Sequence, residues 1–321
     1  MRKPHQLIGI EVRHLVAFEA VCETGSFAHA ARRLGYTQPA ISLQVAALER
    51  AAGTRLLDRP GGRRPVVPTP AGERMRRHAA RIVAAISAAE ADLTALAEGS
   101  AGLLRIGTYQ SVSVNILPGV IRRFAAEHPA VEVRLVEESY DEALLDRLEH
   151  GRLELSFVPL PVRGPFETRE LLRDPYVFIA QAGSAWAARG SIPTLRELGT
   201  LPLVAYGRST YGIESELRVR GIEPEIVFRT DESAALQGLV GAGIGCAMVP
   251  SMTVERDDPE IVVIETPRRI ADRRIGIAWH LDAELSDPAI AFIEIVRERC
   301  SELVGDDQRL ASGSRTRRAS R

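Results

Sequence analysis

The chain has 321 residues, 45% of them hydrophobic and 26% charged, and a net charge of −1. This is globular composition with length enough for two or three domains. No apolar run reaches the ~18 residues that a membrane span needs, and the N-terminal stretch shows no secretory h-region. Three widely spaced cysteines, Cys22, Cys246 and Cys300, argue against a disulfide framework or a zinc knuckle and suit a reducing cytoplasm.

Leu15, Phe18, Val21 and Cys22 lie at helical spacing, and Gly25 stops that helix. Ser26 can cap a second helix with Ala30, Ala31 and Leu34 on one side, ended by Gly35. Thr37 is a good N-cap for a third, and Pro39 is tolerated in a first turn. Ile41, Val45 and Leu48 form its apolar stripe, which leaves Gln38 and Ser42 outward. The segment LLDRPGGRRPVVPTPAG, residues 56–72, reads as a small arginine-dense hairpin.

A long helix follows over about residues 70–98, with Thr69 and Pro70 at its start. Met75, Ala79, Ile82, Ile86, Ala89, Leu93 and Leu96 are spaced 4-3-4-3-4-3, a heptad seam. At 1.5 Å per residue the helix is about 43 Å long, too long for a small domain to bury. A partner helix from a second copy is the economical explanation; a lone amphipathic helix lying on its own domain is the other. From Leu103 strands and helices alternate, which predicts an α/β domain with mostly parallel sheets. Residues 304–321 are polar and arginine-containing, and a disordered tail is expected there.

Charge is unevenly placed. Up to Arg81 there are 14 basic and six acidic side chains, +8, which leaves −9 for the remainder. Arginine-rich genomic composition explains why Lys3 is the only lysine, but not this placement. A basic head on an acidic body implies that only the head meets a polyanion.

These residues carry a resemblance over about residues 10–303. The helix with Phe18, the segment GSFAHAARRLGYTQPAIS, the Leu48-Glu49 pair, Gly53, the turn at residues 56–59 and Thr69-Pro70-Ala71-Gly72 resemble a LysR-type transcriptional regulator. In the C-terminal part LRIG, Leu117-Pro118, His128-Pro129, LEHGRLELSF and LVGAGIGCAMVP are similar to the same family. Leu57, Pro68, Ala46, Ala47 and Glu154 depart from its usual residues. The resemblance implies a winged helix-turn-helix over 1–69 and a linker and dimerisation helix over 70–100. A two-lobed α/β effector domain, like periplasmic solute-binding proteins, follows over 101–303. Lobe I is expected at 101–162 and 265–303, and lobe II at 163–264.

For a helix-turn-helix, residues 26–34 brace the following helix so that its first turn enters a major groove. Gln38 can read adenine bidentately, Thr37 and Ser42 can bond phosphate or base edges, and Pro39 can touch a thymine methyl. Ser26 belongs to the same surface, and Arg32, Arg33, Arg63 and Arg64 are placed to hold the backbone. The long helix would pair two copies on a pseudo-palindrome, and the family implies a dimer of dimers. The expected partners are double-stranded DNA, a small-molecule effector and a second copy of the chain, with no membrane, cofactor or metal.

In the two-lobed part, ligands bind at strand ends. Gln110 and Ser111 follow one strand, Arg208, Ser209 and Thr210 another, and Thr230 a third, while Ser139 and the Phe157-Val158-Pro159 loop can complete the wall. Helix N-termini beside Arg208 suit a carboxylate. As plain helix caps and a solvated arginine, the same residues have only a structural role.

Three other readings compete with this one. An enzyme is disfavoured because Gly241-Ala242-Gly243-Ile244-Gly245 follows a helical segment and precedes a strand, the reverse of a nucleotide loop, and no GxSxG or HExxH occurs. A secreted solute-binding protein explains the cleft but not the basic head or the heptads. A thiol sensor at Cys246 competes with an inert thiol buried in an apolar strand.

Overall fold

The computed structural model describes residues 9–59, 64–98, 102–207, 213–266 and 270–318. It divides into two compact units, residues 1–103 with 146–153 and residues 104–145 with 154–321.

The first unit holds α1 (Val12–Thr24), α2 (Phe27–Leu34), α3 (Gln38–Ala52), the strand pair β1 (Leu57–Asp58) and β2 (Val67–Pro68), and α4 (Pro70–Glu98). Each early helix ends on a glycine in the left-handed region, Gly25, Gly35 and Gly53, where a Cβ would add strain. Phe18, Val21, Ala31, Ile41, Val45, Leu48, Leu56 and Leu57 close one core around α1, and Ala79 of α4 belongs to it. The hairpin is tied back by the Val66 N–H, which donates to the Gly25 carbonyl at 2.8 Å.

The second unit contains two sheets. The first has the order β4-β3-β5-β12-β6, from β3 (Gly102–Thr108), β4 (Val131–Glu137), β5 (Leu155–Leu160), β6 (Phe166–Asp174) and β12 (Arg273–His280). It carries α5 (Gln110–Asn115), α6 (Leu117–Glu127) and α12 (Asp287–Arg318), while α7 (Asp141–Glu149) starts in this unit and ends in residues assigned to the first. The second sheet is β10-β7-β11, from β7 (Tyr176–Gln181), β10 (Ala247–Pro250) and β11 (Ile261–Glu265). A parallel pair stands beside it, β8 (Leu203–Tyr206) and β9 (Ile226–Thr230), bridged to Cys246 through Leu203. The helices α8 (Ala185–Arg189), α9 (Leu195–Leu198), α10 (Ile213–Val219) and α11 (Ser233–Gly241) complete this lobe. The central strands β5 and β7 are buried almost throughout, hence their unbroken apolar runs.

Three expectations are corrected. The sheets are mixed: β3 and β5 run parallel, but β12 is antiparallel to both β5 and β6, and β7 to both its neighbours. The segment expected to open lobe II contains β6, which is hydrogen-bonded into the first sheet, so the chain crosses between lobes after Asp174 rather than after residue 162. Where a disordered tail is expected, α12 continues to Arg318. No proline interrupts this stretch, and its arginine, leucine, alanine and glutamine are helix formers, whereas Gly305, Asp306, Asp307, Ser312, Gly313, Ser314 and Thr316 are poor ones, which is why the sequence reads as a tail.

One glycine in the head is irreplaceable on steric grounds. A Cβ on Gly72 would lie 2.0 Å from the Leu56 carbonyl oxygen, at the junction of α4 with the hairpin. Thr69 fixes that junction, its hydroxyl accepting the Gly72 N–H at 3.0 Å and donating to the Arg55 carbonyl at 2.9 Å. Gly72→Ala is therefore expected to destabilise the head by about 3 kcal/mol, the scale of severe overpacking. A urea titration of the full chain, followed by loss of DNA affinity, measures this; an unchanged first transition would show that the junction relaxes freely.

Candidate nucleic-acid interface and ligand cleft

The first turn of α3 stands clear of the core. Ser26 caps α2 by accepting the His29 N–H, and Thr37 caps α3 by accepting the Ala40 N–H, both at 3.4 Å. With Ile41, Val45 and Leu48 buried, Thr37, Gln38 and Pro39 are exposed and Ser42 is half-buried. The sequence overlooked Leu43, which is 67% exposed on the same face, and Tyr36, 52% exposed in the turn before it. An uncovered leucine beside an exposed proline is suited to thymine methyls. Its signal was available: Leu43 falls off the apolar stripe of α3.

The arginines divide. Arg32 and Arg64 are exposed and make no ion pair among the described residues. Arg33 is instead paired with Glu23, and Ser26 is committed to its cap, so neither is presented as freely as expected. Arg63 lies outside the described residues. Arg59, not singled out from the sequence, pairs with Glu49 at 3.3 Å and lies over the Phe27 ring. Glu49 also accepts the N–H groups of Leu56 and Leu57 at 2.9 and 3.2 Å, which locks the base of the hairpin to α3. His29 is a surface residue.

On α4 the seam splits in the same way. Ala79 is fully buried in its own head and Met75 packs against that core, so Ala79 offers no surface to a partner. Ile82 is 47% and Leu93 68% exposed, Ala89 is exposed and Ile86 half-buried. The side chain of Leu96 lies outside what the structure describes.

The second unit contains a cavity of about 510 Å³ between strand ends of the two lobes. Gln110, Ser111, Ser139 and Pro159 line it as expected. Phe157 and Val158 are buried in the core beneath, and Thr230 is not part of the wall, its hydroxyl accepting the Glu232 N–H at 3.2 Å instead. Arg208, Ser209 and Thr210 lie outside the described residues. Gln110 spans the lobes, its Oε1 accepting the Ser233 N–H at 3.3 Å.

Sequence reasoning missed the centre of the wall. Arg273 of β12 pairs with Asp174 at 2.6 Å, and their side chains are 16% and 0% exposed. The same guanidinium donates to the Ser111 hydroxyl at 2.9 Å and lies over the Tyr109 ring. Asp174 Oδ1 accepts the Met252 N–H at 3.1 Å. Burial pushes the Asp174 carboxyl above its ordinary range, with Arg273 opposing the shift. Nothing in ADRRIGIAW marks which arginine is buried.

All three cysteines are free, Cys246 and Cys300 in separate cores, and burial pushes each thiol up to about 12. So little thiolate exists near neutrality that none is a ready nucleophile. Residues 241–245 form the turn from α11 into β10, not a nucleotide loop. No group of three or more His, Cys, Asp or Glu among the described residues could hold a metal, and no described helix is long and apolar enough to cross a membrane.

A basic head that displays a helix end, carried on a unit that encloses a ligand-sized cleft, is the build of a ligand-responsive transcription regulator. Comparison with known proteins gives its family. Residues 12–73 match the family model for bacterial regulatory helix-turn-helix proteins of the lysR family, and residues 97–301 match the LysR substrate binding domain. The chain belongs to the LysR family of transcriptional regulators, which bind DNA and respond to small molecules. It is 27% identical over 296 residues to a probable HTH-type transcriptional regulator LrrA from Synechococcus elongatus, covering 92% of this chain and 99% of that protein. It is 30% identical to a probable hydrogen peroxide-inducible genes activator from Streptomyces viridosporus, covering 91% and 96%. Full-length CbnR in complex with its target DNA is similar in structure, with a TM-score of 0.61, 25% identity, and 90% and 99% of the two chains covered.

The buried pair makes a test of the second unit. Removing one partner leaves an uncompensated buried charge, so Asp174→Ala is expected to cost about 3–5 kcal/mol. Urea unfolding monitored on the effector half would show a midpoint near wild type if the pair were dispensable.

Proposed function

We propose that the chain is a cytoplasmic, non-enzymatic regulator that binds an interrupted pseudo-palindrome as a dimer and changes its placement on DNA when the cleft is filled. The observation that carries this is the first turn of α3, capped by Thr37 and braced by α2, with Gln38, Pro39 and Leu43 uncovered. In this reading Thr37, Gln38 and Ser42 meet bases and nearby phosphates, Pro39 and Leu43 meet methyl groups, and Arg32 and Arg64 hold the backbone. CbnR, similar over nearly its whole length, has been seen on its target DNA. Peroxide sensing, suggested by the name of one relative, is not supported, because Cys246 and Cys300 are buried, Cys22 is half-buried, and burial raises all three thiols.

Two copies would meet through α4. Ile82 and Leu93 are apolar, exposed and 11 residues apart on one face, so a second helix removes them from water. A ligand acts only by binding one arrangement of the lobes better than the other.

Footprinting across a salt series on the DNA upstream of the gene is the direct test. A protected, interrupted palindrome with a steep salt slope is expected, and uniform protection at every salt would overturn sequence-specific reading. Gln38→Ala should lose about 1–3 kcal/mol of discrimination at one base step, whereas Arg64→Ala should weaken all sequences alike and reduce the salt slope by about 1. Light scattering on Ile86→Asp should show monomers; a variant that keeps the wild-type mass would place the dimer contact elsewhere.

A further inference from the structure

Glu23 of α1 serves two arginines at once. Its Oε2 accepts Arg33 of α2, and its Oε1 accepts Arg152, 129 residues further along the chain. Arg152 lies in residues 146–153, which belong to the same compact unit as α1 and α2. Glu23 is 19% exposed and Arg33 57%, so the carboxylate is largely covered and Arg33 is the partner with room to turn to solvent.

The segment that carries Arg152 is seated by several contacts. Glu149, the last residue of α7, stands 3.7 Å from Arg77 of α4. His150 is buried, with its Nδ1 3.2 Å from the Asp146 carboxylate. Gly151 turns the chain with a φ of 69°, and the Arg152 N–H donates to the Arg147 carbonyl at 2.8 Å. Arg152 is thus aimed from a fixed turn. A second carboxylate faces the same arginine. Glu19, one turn before Glu23, has an Oε1 that is shut off from solvent and makes no hydrogen bond among the described residues, and Arg152 stands 3.9 Å from it. Burial pushes the Glu19 carboxyl up, and Arg152 is first among the charges that oppose the shift.

Resting on the reading of α2 and α3 as the DNA-facing surface, we propose that Arg152 is a positioning residue for DNA binding, which keeps Glu23 neutralised so that Arg33 can leave it for a phosphate. The sequence places Arg33 among the backbone contacts, yet without DNA it is occupied by Glu23. A polyanion offers it a second partner. That exchange would strand a covered carboxylate beside a phosphate if Glu23 had no other cation, and an uncompensated buried charge is costly. Arg152, on the other oxygen, remains behind and removes that cost. Without it, Arg33 is the only ion-pair partner left to Glu23 among the described residues, and a phosphate must compete for it. Arg152 therefore acts on DNA through Arg33, and it adds affinity without reading sequence.

The test is fluorescence anisotropy of the full chain on a mixed-sequence duplex across a salt series, with Arg64→Ala as the reference for an independent phosphate contact. Arg152→Gln is expected to weaken binding about fivefold and to make the salt slope shallower by about 1, as Arg33→Gln does. The double variant Arg33→Gln/Arg152→Gln should bind no worse than Arg33→Gln alone. Arg152→Lys should keep most of the affinity, and adding Glu23→Gln to Arg152→Gln should restore it. Equal losses from Arg152→Gln with and without Arg33, or no restoration by Glu23→Gln, would overturn the proposal. An unstable Arg152→Gln protein cannot imitate the expected pattern, because instability would lower binding in the Arg33→Gln background too. Unchanged binding in Arg152→Gln, while Arg64→Ala still weakens it, would overturn the proposal and leave the DNA-facing reading intact. Unchanged binding in Arg64→Ala and Arg33→Gln as well would overturn both.

Discussion

The effector half depends on one buried ion pair. Asp174 ends β6, the last strand of the first sheet before the chain crosses, and Arg273 opens β12 after the chain returns. Their pairing clamps the outgoing and returning strands at the same level, 99 residues apart in sequence. Met252, after β10 of the other lobe, donates its N–H to the same carboxylate, and Asn115 of α5 donates to the Met252 carbonyl at 2.9 Å. Burying two charges is costly in itself, and hydrophobic replacements are often as stable. What the pair supplies here is location, since it holds both sheets and the N-terminus of α5 to one point.

That point is also the wall of the cleft. Arg273 reaches the Ser111 hydroxyl, and next to it Gln110 reaches across to Ser233 at the start of α11. The two lobes are therefore tied to each other at the wall of the cleft itself. In such a design the energy of the response is the difference in ligand affinity between two lobe arrangements. The head is built on the opposite principle. Glu49, Thr69 and Gly72 lock α3, the hairpin and the start of α4 into one body, so a displacement of α4 carries the recognition turn with it.

The sequence made the head legible almost residue by residue, because its signals are local. Serine and threonine caps, terminal glycines and a stripe at helical spacing each act within one or two turns, and they appear where expected at Ser26, Gly35, Thr37 and Ile41. The effector half was legible in its elements but not in its pairing. The polar strand FETRELLRD, at the edge of its sheet and mostly exposed, lacks the apolar run that marks β5 or β7. Its place beside β12 is fixed by a contact a hundred residues away, and no local pattern encodes that. The same holds for Arg273, one arginine among 41 basic residues, chosen for burial only by where Asp174 comes to lie.

Charge asymmetry, visible in the sequence as +8 against −9, acquires a location in the structure. Part of the acidic excess lies around one cavity, where Glu137, Asp141, Glu142, Asp231, Glu232 and Asp272 make no ion pair among the described residues, while most other described acids on this half are matched with arginines at short range. At physiological ionic strength such fields reach only about 8 Å, so surface charge acts locally. Arg32 and Arg64, exposed on the head, present positive charge to the polyanion that the family binds. A chain of almost no net charge thus combines a basic head with an acidic remainder, and near-neutrality overall is the consequence of that division rather than its absence.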